Sequence, residues 1–335
     1  MRTFFTLVLL AVLAFGGWLA WALYTPVTPA GQTTVLLRPG YSTRRIADEL
    51  QSAGVIRSAL AFTLWQRVDH RRSLKAGEYL FEKTANSLEV RRRLAEGDVY
   101  FHTVAIPEGY NLFEIAQAIQ NAGLGPAQDF VKVAMSDTAL VADLDPQAKT
   151  LEGYLFPNTY EFTRMQTMEE MAAAMVKQFR QVAREIGLAQ SAVPSSDPPS
   201  IHNAVTLASI IEKETAAGEE RPMVASVYAN RLAHKMPLQA DPSVIYAEML
   251  DAAYTGALHH ADMQFKSAYN TYTHAGLPPG PIGNPGKASL EAALHPAETD
   301  YFYFVSDGNS HHRFAHSLEE HNRNVATYRR VMAGR

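Results

Sequence analysis

Glu212 and Glu214 close the segment Ala208-Ser-Ile-Ile-Glu-Lys-Glu-Thr215, in which the preceding residues are mostly apolar. A carboxylate at the end of such a run is costly to ionise, so its pKa rises and it suits acid chemistry near neutral pH. Local signals make the segment a helix. Pro198-Pro199-Ser200 supplies a stop and a cap, and Gly218 is expected to close the helix after about four turns. At about 100° per residue the apolar face centres on Ala204, Ala208, Ile211 and Thr215, with His202, Thr206, Ser209 and Lys213 on the polar face. Residues two apart do not face each other on a helix, so the glutamates flank the stripe on opposite sides and cannot act as a paired dyad. At most one of them faces a given cleft, and the wheel alone does not choose. The alternative is a solvated Glu-Lys-Glu terminus with no chemical role.

Further along, Gln239-Ala-Asp241-Pro242-Ser243 and Ala268-Tyr-Asn-Thr-Tyr272 precede the loop Gly276-Leu-Pro-Pro-Gly280. Amides bond hydroxyl and acetamido groups, and aromatic faces stack on pyranose rings, so Asn270 and Tyr272 beside this loop suit sugar recognition. The same residue types also serve as turn and cap residues. Asp241 is open to three readings: a cleft residue, a helix cap, or a second carboxylate that would permit hydrolysis. His259, His260, His311, His312, His316 and His321 raise a metal-dependent hydrolase as a rival, but no His-Glu-x-x-His arrangement is present.

The elements that must position these residues follow from composition and pattern. A chain of 335 residues is long enough for two or three packed units. Its net charge of -4, without a basic block, argues against nucleic acid as a partner. Cysteine is absent, which excludes disulfides, thiol nucleophiles and thiolate metal sites. Phe4 to Tyr24 is almost unbroken apolar sequence, long enough to cross a bilayer, with Trp18, Trp21 and Tyr24 as an interfacial belt. Ala20-Trp21-Ala22 also reads as a signal-cleavage site, but the apolar run exceeds a usual signal core, so residues 1–24 are expected to be an uncleaved anchor. With Arg2 on the cytoplasmic side, the rest of the chain lies outside the inner membrane, after an extended linker over residues 25–31.

An internal repeat comes next. Thr34-Val-Leu-Leu-Arg-Pro-Gly-Tyr to Gly54 is echoed by Thr103-Val-Ala-Ile-Pro-Glu-Gly-Tyr to Gly123, pairing Gly40 with Gly109, Tyr41 with Tyr110, Ile46 with Ile115 and Ala47 with Ala116. Each copy reads as strand, Gly-Tyr turn, short helix and Gly stop. A weaker echo links Gly77-Glu-Tyr-Leu-Phe81 to Gly153-Tyr-Leu-Phe156, each expected to be a strand. Two copies are too few for a solenoid, so they are read as small α/β modules over residues 32–100 and 101–190. Ser191 to Ser200 reads as an exposed connection, and residues 200–335 as the catalytic domain. Within it, Pro222 opens a helix to Leu232 with Val224, Val227 and Tyr228 on one face. A Gly/Pro-rich loop from His274 to Gly286, a short helix from Ser289, a strand from Tyr301 and a helix from His316 complete an α+β chain.

The first repeat copy resembles a LysM module, a type that binds N-acetylglucosamine-containing cell-wall glycans. Over nearly its whole length the chain resembles the YceG-like endolytic murein transglycosylases. The resemblance rests on Ala208-Ser-Ile-Ile-Glu-Lys-Glu-Thr215, Leu238-Gln-Ala-Asp-Pro-Ser-Val-Ile-Tyr246, Ala268-Tyr-Asn-Thr-Tyr272 and Gly276-Leu-Pro-Pro-Gly280, in that order. Glu214-Thr215 resembles the Glu-Ser step of lytic transglycosylases, and Ala268-Tyr-Asn270 their second motif. This resemblance, not the wheel, selects Glu214 as the catalytic acid, with Glu212 and Thr215 in support and Gln239, Asp241, Asn270 and Tyr272 against substrate. It implies cleavage between N-acetylmuramic acid and N-acetylglucosamine with 1,6-anhydro ends, without cofactor or metal. The implied partners are peptidoglycan strands and the penicillin-binding proteins beside which elongation is terminated. A protonated Glu214 at neutral pH requires a pKa raised by about two units, about 2.7 kcal/mol. The rival of another class is a non-catalytic, membrane-tethered glycan-binding protein.

Overall fold

The computed structural model describes residues 1–69, 73–188 and 200–333. The chain divides into two compact units, Met1–Thr103 with Glu161–Thr167, and Val104–Tyr160 with Met168–Arg335. The expected connection at Ser191 to Pro199 lies outside the described residues; Ser200 caps the helix that follows, accepting a bond from the Asn203 amide at 3.1 Å.

The first unit opens with α1 (Arg2–Tyr24), an exposed apolar helix of 23 residues holding an 18-residue stretch of mean hydropathy 2.1. Its rise of about 34 Å matches a hydrocarbon core of about 30 Å. Its last turns are packed: Ala22 and Leu23 are buried with Ala61, and Trp18, Leu19, Trp65 and Leu88 close around them. The linker at 25–31 is partly held in place, since Val27 and Ala85 exchange backbone bonds of 2.8 and 3.1 Å.

Strand β1 (Thr33–Leu37), α2 (Thr43–Ser52), α3 (Ala59–Val68), β2 (Gly77–Phe81) and α4 (Ser87–Glu96) follow, with β1 and β2 antiparallel and Val35 opposite Tyr79. Alternate strand residues Val35, Leu37, Tyr79 and Phe81 face a core shared with Ile46, Leu50, Phe62, Val90 and Leu94. A period-two strand laid on amphipathic helices produces this pattern.

The sequence repeat is a structural one. Its second copy consists of β3 (His102–Ala105), α5 (Leu112–Asn121), α6 (Ala127–Ser136) and β4 (Thr159–Phe162), with β3 pairing β4. Gly40 and Gly109 hold φ of 83° and 79°, and Gly54 and Gly123 hold 70° and 71°, a region costly for any residue with a Cβ. Both helices are capped one residue after the Gly-Tyr pair, by Ser42 in the first copy and in the second by Asn111 with Glu114 as a capping box.

The strand expected at Gly153–Phe156 is instead a buried turn, and the pairing strand is Thr159–Phe162. Gly153 has φ 88°, and a Cβ there would meet Pro281 at 2.5 Å and Val205 at 2.7 Å. The segment is therefore wedged against its neighbours in a conformation no strand adopts.

The second unit continues with α7 (Met168–Glu185), α8 (Ile201–Glu214), α9 (Arg221–Ala233), α10 (Asp241–Leu250), α11 (Lys287–Leu294), the hairpin β5 (Tyr303–Ser306) and β6 (His312–Ala315), and α12 (Leu318–Ala333). α8 is central, with α9, α10 and α11 packed on it. Of the polar face of α8, His202, Thr206 and Ser209 are buried and Lys213 is exposed. His202 Nδ1 lies 2.7 Å from Asp145, a bond that raises the imidazole pKa, and Nε2 lies 3.0 Å from the Pro279 carbonyl. Ser209 donates to the Thr206 carbonyl at 2.7 Å and accepts from the Ile282 amide at 3.0 Å. These side chains bind the loop at 279–282 to the helix. α8 also ends four residues before Gly218. Thr215 is extended (φ -136°, ψ 131°), and its hydroxyl accepts the Ala217 amide at 3.0 Å, a local bond that competes with continued helix.

Candidate active site

Glu214, the last residue of α8, opens on a cavity of about 280 Å³. Tyr228 and Arg231 reach it from α9, Leu238 and Gln239 from the following loop, and Asp241 from the start of α10. Tyr272, Phe304 of β5 and His321 of α12 complete the lining. The residue keeps some solvent contact through the cavity, while its carboxyl is ringed by protein atoms. Burial pushes that carboxyl up to about 7; a Tyr228 hydroxyl bond and the Arg231 charge oppose the rise, and Asp241 adds to it. The group can therefore change protonation state near neutral pH, as a general acid that later acts as base must.

Glu212 has another environment. Its carboxyl accepts from the Arg221 guanidinium and the Gly286 amide, both at 2.9 Å, and its side chain is 5 % exposed. Arg221 also lies 3.5 Å from Glu108, so this carboxylate ties the second Gly-Tyr turn and the Gly/Pro loop to the end of α8. Thr215 is buried, and by stopping the helix it leaves Glu214 projecting from the terminus.

The loop bearing Gln239 and Asp241 is stitched to the one bearing Tyr272. Thr271 accepts the Ala240 amide at 2.9 Å, its hydroxyl lies 2.8 Å from that of Ser243, and its carbonyl takes the Gln239 amide at 3.1 Å. Gln239 sits at φ 54°, a left-handed conformation that places it at the cavity edge. Tyr272 donates its hydroxyl to Asp241, and burial raises the phenol pKa.

Asn270, expected against substrate, is fully buried and does not line the cavity. Its amide nitrogen donates to the Met263 and Phe265 carbonyls at 3.1 and 2.8 Å, and its oxygen accepts the Tyr272 amide at 2.9 Å. Both amide protons and the oxygen are engaged in shaping the loop that bears Tyr272.

Four lining residues escape sequence reasoning. Tyr228 reads as one more large residue on the apolar face of α9, yet its hydroxyl bonds Glu214. Arg231, one turn on, donates to the Phe302 carbonyl at 2.7 Å, the Leu238 carbonyl at 2.9 Å and Gln239 Oε1 at 3.2 Å. One buried guanidinium thus joins the start of the hairpin to the loop bearing Gln239 and keeps a positive charge in the cavity. A Tyr and an Arg three apart on an otherwise apolar face were the available signal. His321 stacks on Tyr303 with ring centroids 5.2 Å apart, its Nδ1 buried without a partner, and burial lowers its pKa. Phe304 packs edge-on against Tyr228 at 5.9 Å.

Other histidines are dispersed onto single carboxylates, His312 at 2.7 Å from Glu220 and His316 at 2.8 Å from Asp300. Among the described residues no three His, Asp or Glu side chains converge as a metal site would need. Sequence reading also missed Glu152, a carboxyl pushed by burial to about 7. It accepts the Leu112 amide at 3.0 Å and the Asn284 side chain at 2.7 Å, and it bonds Tyr246. It lies outside the lining of the Glu214 cavity and holds the second repeat copy to the loop at 284.

The chain is 33% identical over 325 residues to an endolytic murein transglycosylase of Bacillus subtilis, covering 92% of this chain and 88% of that protein. It is 30% identical to the endolytic murein transglycosylase of Streptococcus pneumoniae R6 over 96% of this chain, which spans 64% of the pneumococcal protein. The crystal structure of a YceG-like protein from Listeria monocytogenes matches with a TM-score of 0.58 and 32% identity, covering 87% of this chain and 98% of that one. A family model for YceG-like proteins matches residues 35–327, a span holding every residue of the Glu214 cavity, and the chain belongs to that family.

Proposed function

We propose that this protein is an endolytic murein transglycosylase in which Glu214 is the single acid and base. The observation that carries the reading is a carboxyl with a pKa near 7 at the end of a buried helix, opening on a cavity edged by Gln239, Asp241 and Tyr272. A glycan strand would lie across this cavity. Protonated Glu214 donates to the oxygen joining N-acetylmuramic acid C1 to N-acetylglucosamine C4, and the C1–O bond breaks with its electron pair going to that oxygen. The substrate's acetamide stabilises C1 in the interval. The muramyl C6 hydroxyl then attacks C1, and its proton passes to the Glu214 carboxylate, restoring the acid. No water is added and the products are a 1,6-anhydro end and a free 4-hydroxyl. One carboxyl therefore serves where hydrolytic glycosidases usually need two.

In this reading Tyr228 and Arg231 keep Glu214 able to ionise after the first step, while Tyr272 and Gln239 meet the sugar. Asn270 acts one layer back, through Tyr272. The strand–helix–helix–strand arrangement of β1, α2, α3 and β2 supports a LysM-like glycan-binding role for the first unit. Residues 1–24 act as an inner-membrane anchor with the remainder in the periplasm. The burial of Ala22 and Leu23 beside the Ala20-Trp21-Ala22 site supports retention of α1, because cleavage there would remove a packed segment. Such an enzyme would terminate nascent glycan strands beside penicillin-binding proteins.

The test is mass spectrometry of fragments released from purified peptidoglycan by the full chain and by Glu214→Gln. Anhydro-muramyl ends lost in the variant are the expected result. Reducing ends would mean hydrolysis and make Asp241 the second carboxylate. Binding without release by either protein would leave the non-catalytic tether.

A further inference from the structure

α3 carries an apolar stripe that the first unit covers only in part. Leu60, Leu64 and Val68 are spaced four apart and so share one face of the helix. Leu60 is 59% exposed and Val68 75% exposed, with Leu64 half-buried between them, while Phe62 on the opposite face is buried in the unit's core and Ala61 beside the stripe is buried against α1. An isolated exposed leucine needs no explanation, but a stripe along a whole helix does.

The position of that helix supplies one. Arg57, just before α3, donates to the carbonyls of Thr25 and Pro26 at 3.4 and 3.0 Å and lies 5.2 Å over the Trp21 ring. Ala61 and then Trp65 join the cluster made with Leu23, Ala22, Leu19 and Trp18. α3 therefore starts at the end of α1 and runs back beside its last turns, toward the apolar part of α1. The exposed stripe comes to lie level with Trp18 and Trp21, where a helix of this length meets the headgroups. Arg57 and Arg67 are exposed at this edge and suit anionic lipid.

We propose that α3 is a second membrane contact, seated in the lipid interface with Leu60, Leu64 and Val68 facing the acyl boundary. The inference rests on the reading that α1 spans the bilayer. It makes the first unit a mount fixed to the membrane surface at two points, and it gives the short, hydrogen-bonded linker at 25–31 a purpose: it leaves no slack for the unit to swing away.

The chain lacks cysteine, so single-cysteine labels are unambiguous. The full chain, one copy per nanodisc with anionic lipid, is spin-labelled in turn at Leu64→Cys, Val68→Cys, Ser52→Cys on the exposed end of α2, and Val12→Cys within α1. Collision with dissolved oxygen against collision with a water-soluble nickel chelate reads the depth of each label. Labels at positions 64 and 68 favouring oxygen several-fold over the position 52 label, alongside a position 12 label deep in lipid, is the expected result. Labels at 64 and 68 as open to nickel as the one at 52, with position 12 still in lipid, would overturn the interfacial contact and leave the anchor. A position 12 label open to nickel would remove the anchor and the proposal together.

Discussion

Replacing Tyr228 with Phe removes one hydroxyl from the cavity and tests the electrostatics assigned to Glu214. The ring keeps its edge-on contact with Phe304 at 5.9 Å, so packing is preserved. In the native protein that hydroxyl stabilises the carboxylate and lowers its pKa against the larger effect of burial. A hydrogen bond to a charged group contributes about 1.5–3 kcal/mol, part of which a water in the cavity would replace. A net loss of about 1.4 kcal/mol corresponds to a rise of about one pKa unit. Because the first step needs the protonated acid, the alkaline limb of kcat/KM should move upward by about one unit from its native position near 7. The plateau should fall about tenfold, since the carboxylate formed in the first step is less stable and less firmly held. The assay is the rate of anhydro-fragment release by the full chain from about pH 5 to about pH 9, with Glu214→Gln as the blank. A fallen plateau with an unmoved limb would mean that the hydroxyl acts on something other than the ionisation of Glu214. A limb moving downward would refute burial and hydrogen bonding as the opposed forces on Glu214.

Asp241 raises the Glu214 pKa, so Asp241→Asn should move the same limb in the opposite direction, toward acid pH, and free the Tyr272 hydroxyl; a shift upward would contradict the field assigned to it. Glu214→Gln should also change stability with a definite sign. The folded pKa near 7 exceeds the ordinary value of 4.5, so the folded state holds the proton more tightly and native stability falls as pH rises between these values. The full effect is about 3 kcal/mol, absent in the variant, so its thermal midpoint should gain on the native protein between about pH 5 and about pH 8. A constant gap would contradict the raised pKa. Asn270→Ala removes a fully buried amide that bonds three part-buried backbone groups and should cost about 3 kcal/mol of stability by chemical denaturation. A variant as stable as the native protein would show that the amide is spare for substrate.

What the sequence made legible, and what it hid, divides along physical lines. The repeat was legible because Gly40, Gly109, Gly54 and Gly123 occupy backbone conformations that other residues reach only at a cost, so the letters report geometry directly. Gly153 carries a similar letter and misled, since its conformation is set by Pro281 and Val205, residues far along the chain. The polar face of α8 was legible, but the burial of His202, Thr206 and Ser209 was not, because a helical wheel contains only the helix. His202 is buried against Asp145, 57 residues away in sequence, which no periodicity within α8 encodes. Asn270 was recognisable as a polar residue beside a loop, but whether an amide turns toward a ligand or toward its own backbone depends on which carbonyls the fold brings within reach.

The two glutamates of α8 put the same point in its sharpest form. They are one residue type, two positions apart on one helix, and their side chains leave it about 200° apart. That rotation places Glu212 against Arg221 and the Gly286 amide, partners that fix a carboxylate as part of the scaffold. It places Glu214 in an enclosed space whose hydroxyl and distant guanidinium offset burial only in part, leaving a carboxyl that can hold or release a proton near neutrality. The separation of roles follows from environment and not from residue identity, as in other sites where paired acids take different tasks. The wheel supplied the opposed directions, and the family resemblance selected Glu214. In the proposed mechanism that choice rests on α9, whose Tyr228 hydroxyl and Arg231 charge oppose the effect of burial on the acid, so that it can also serve as the base.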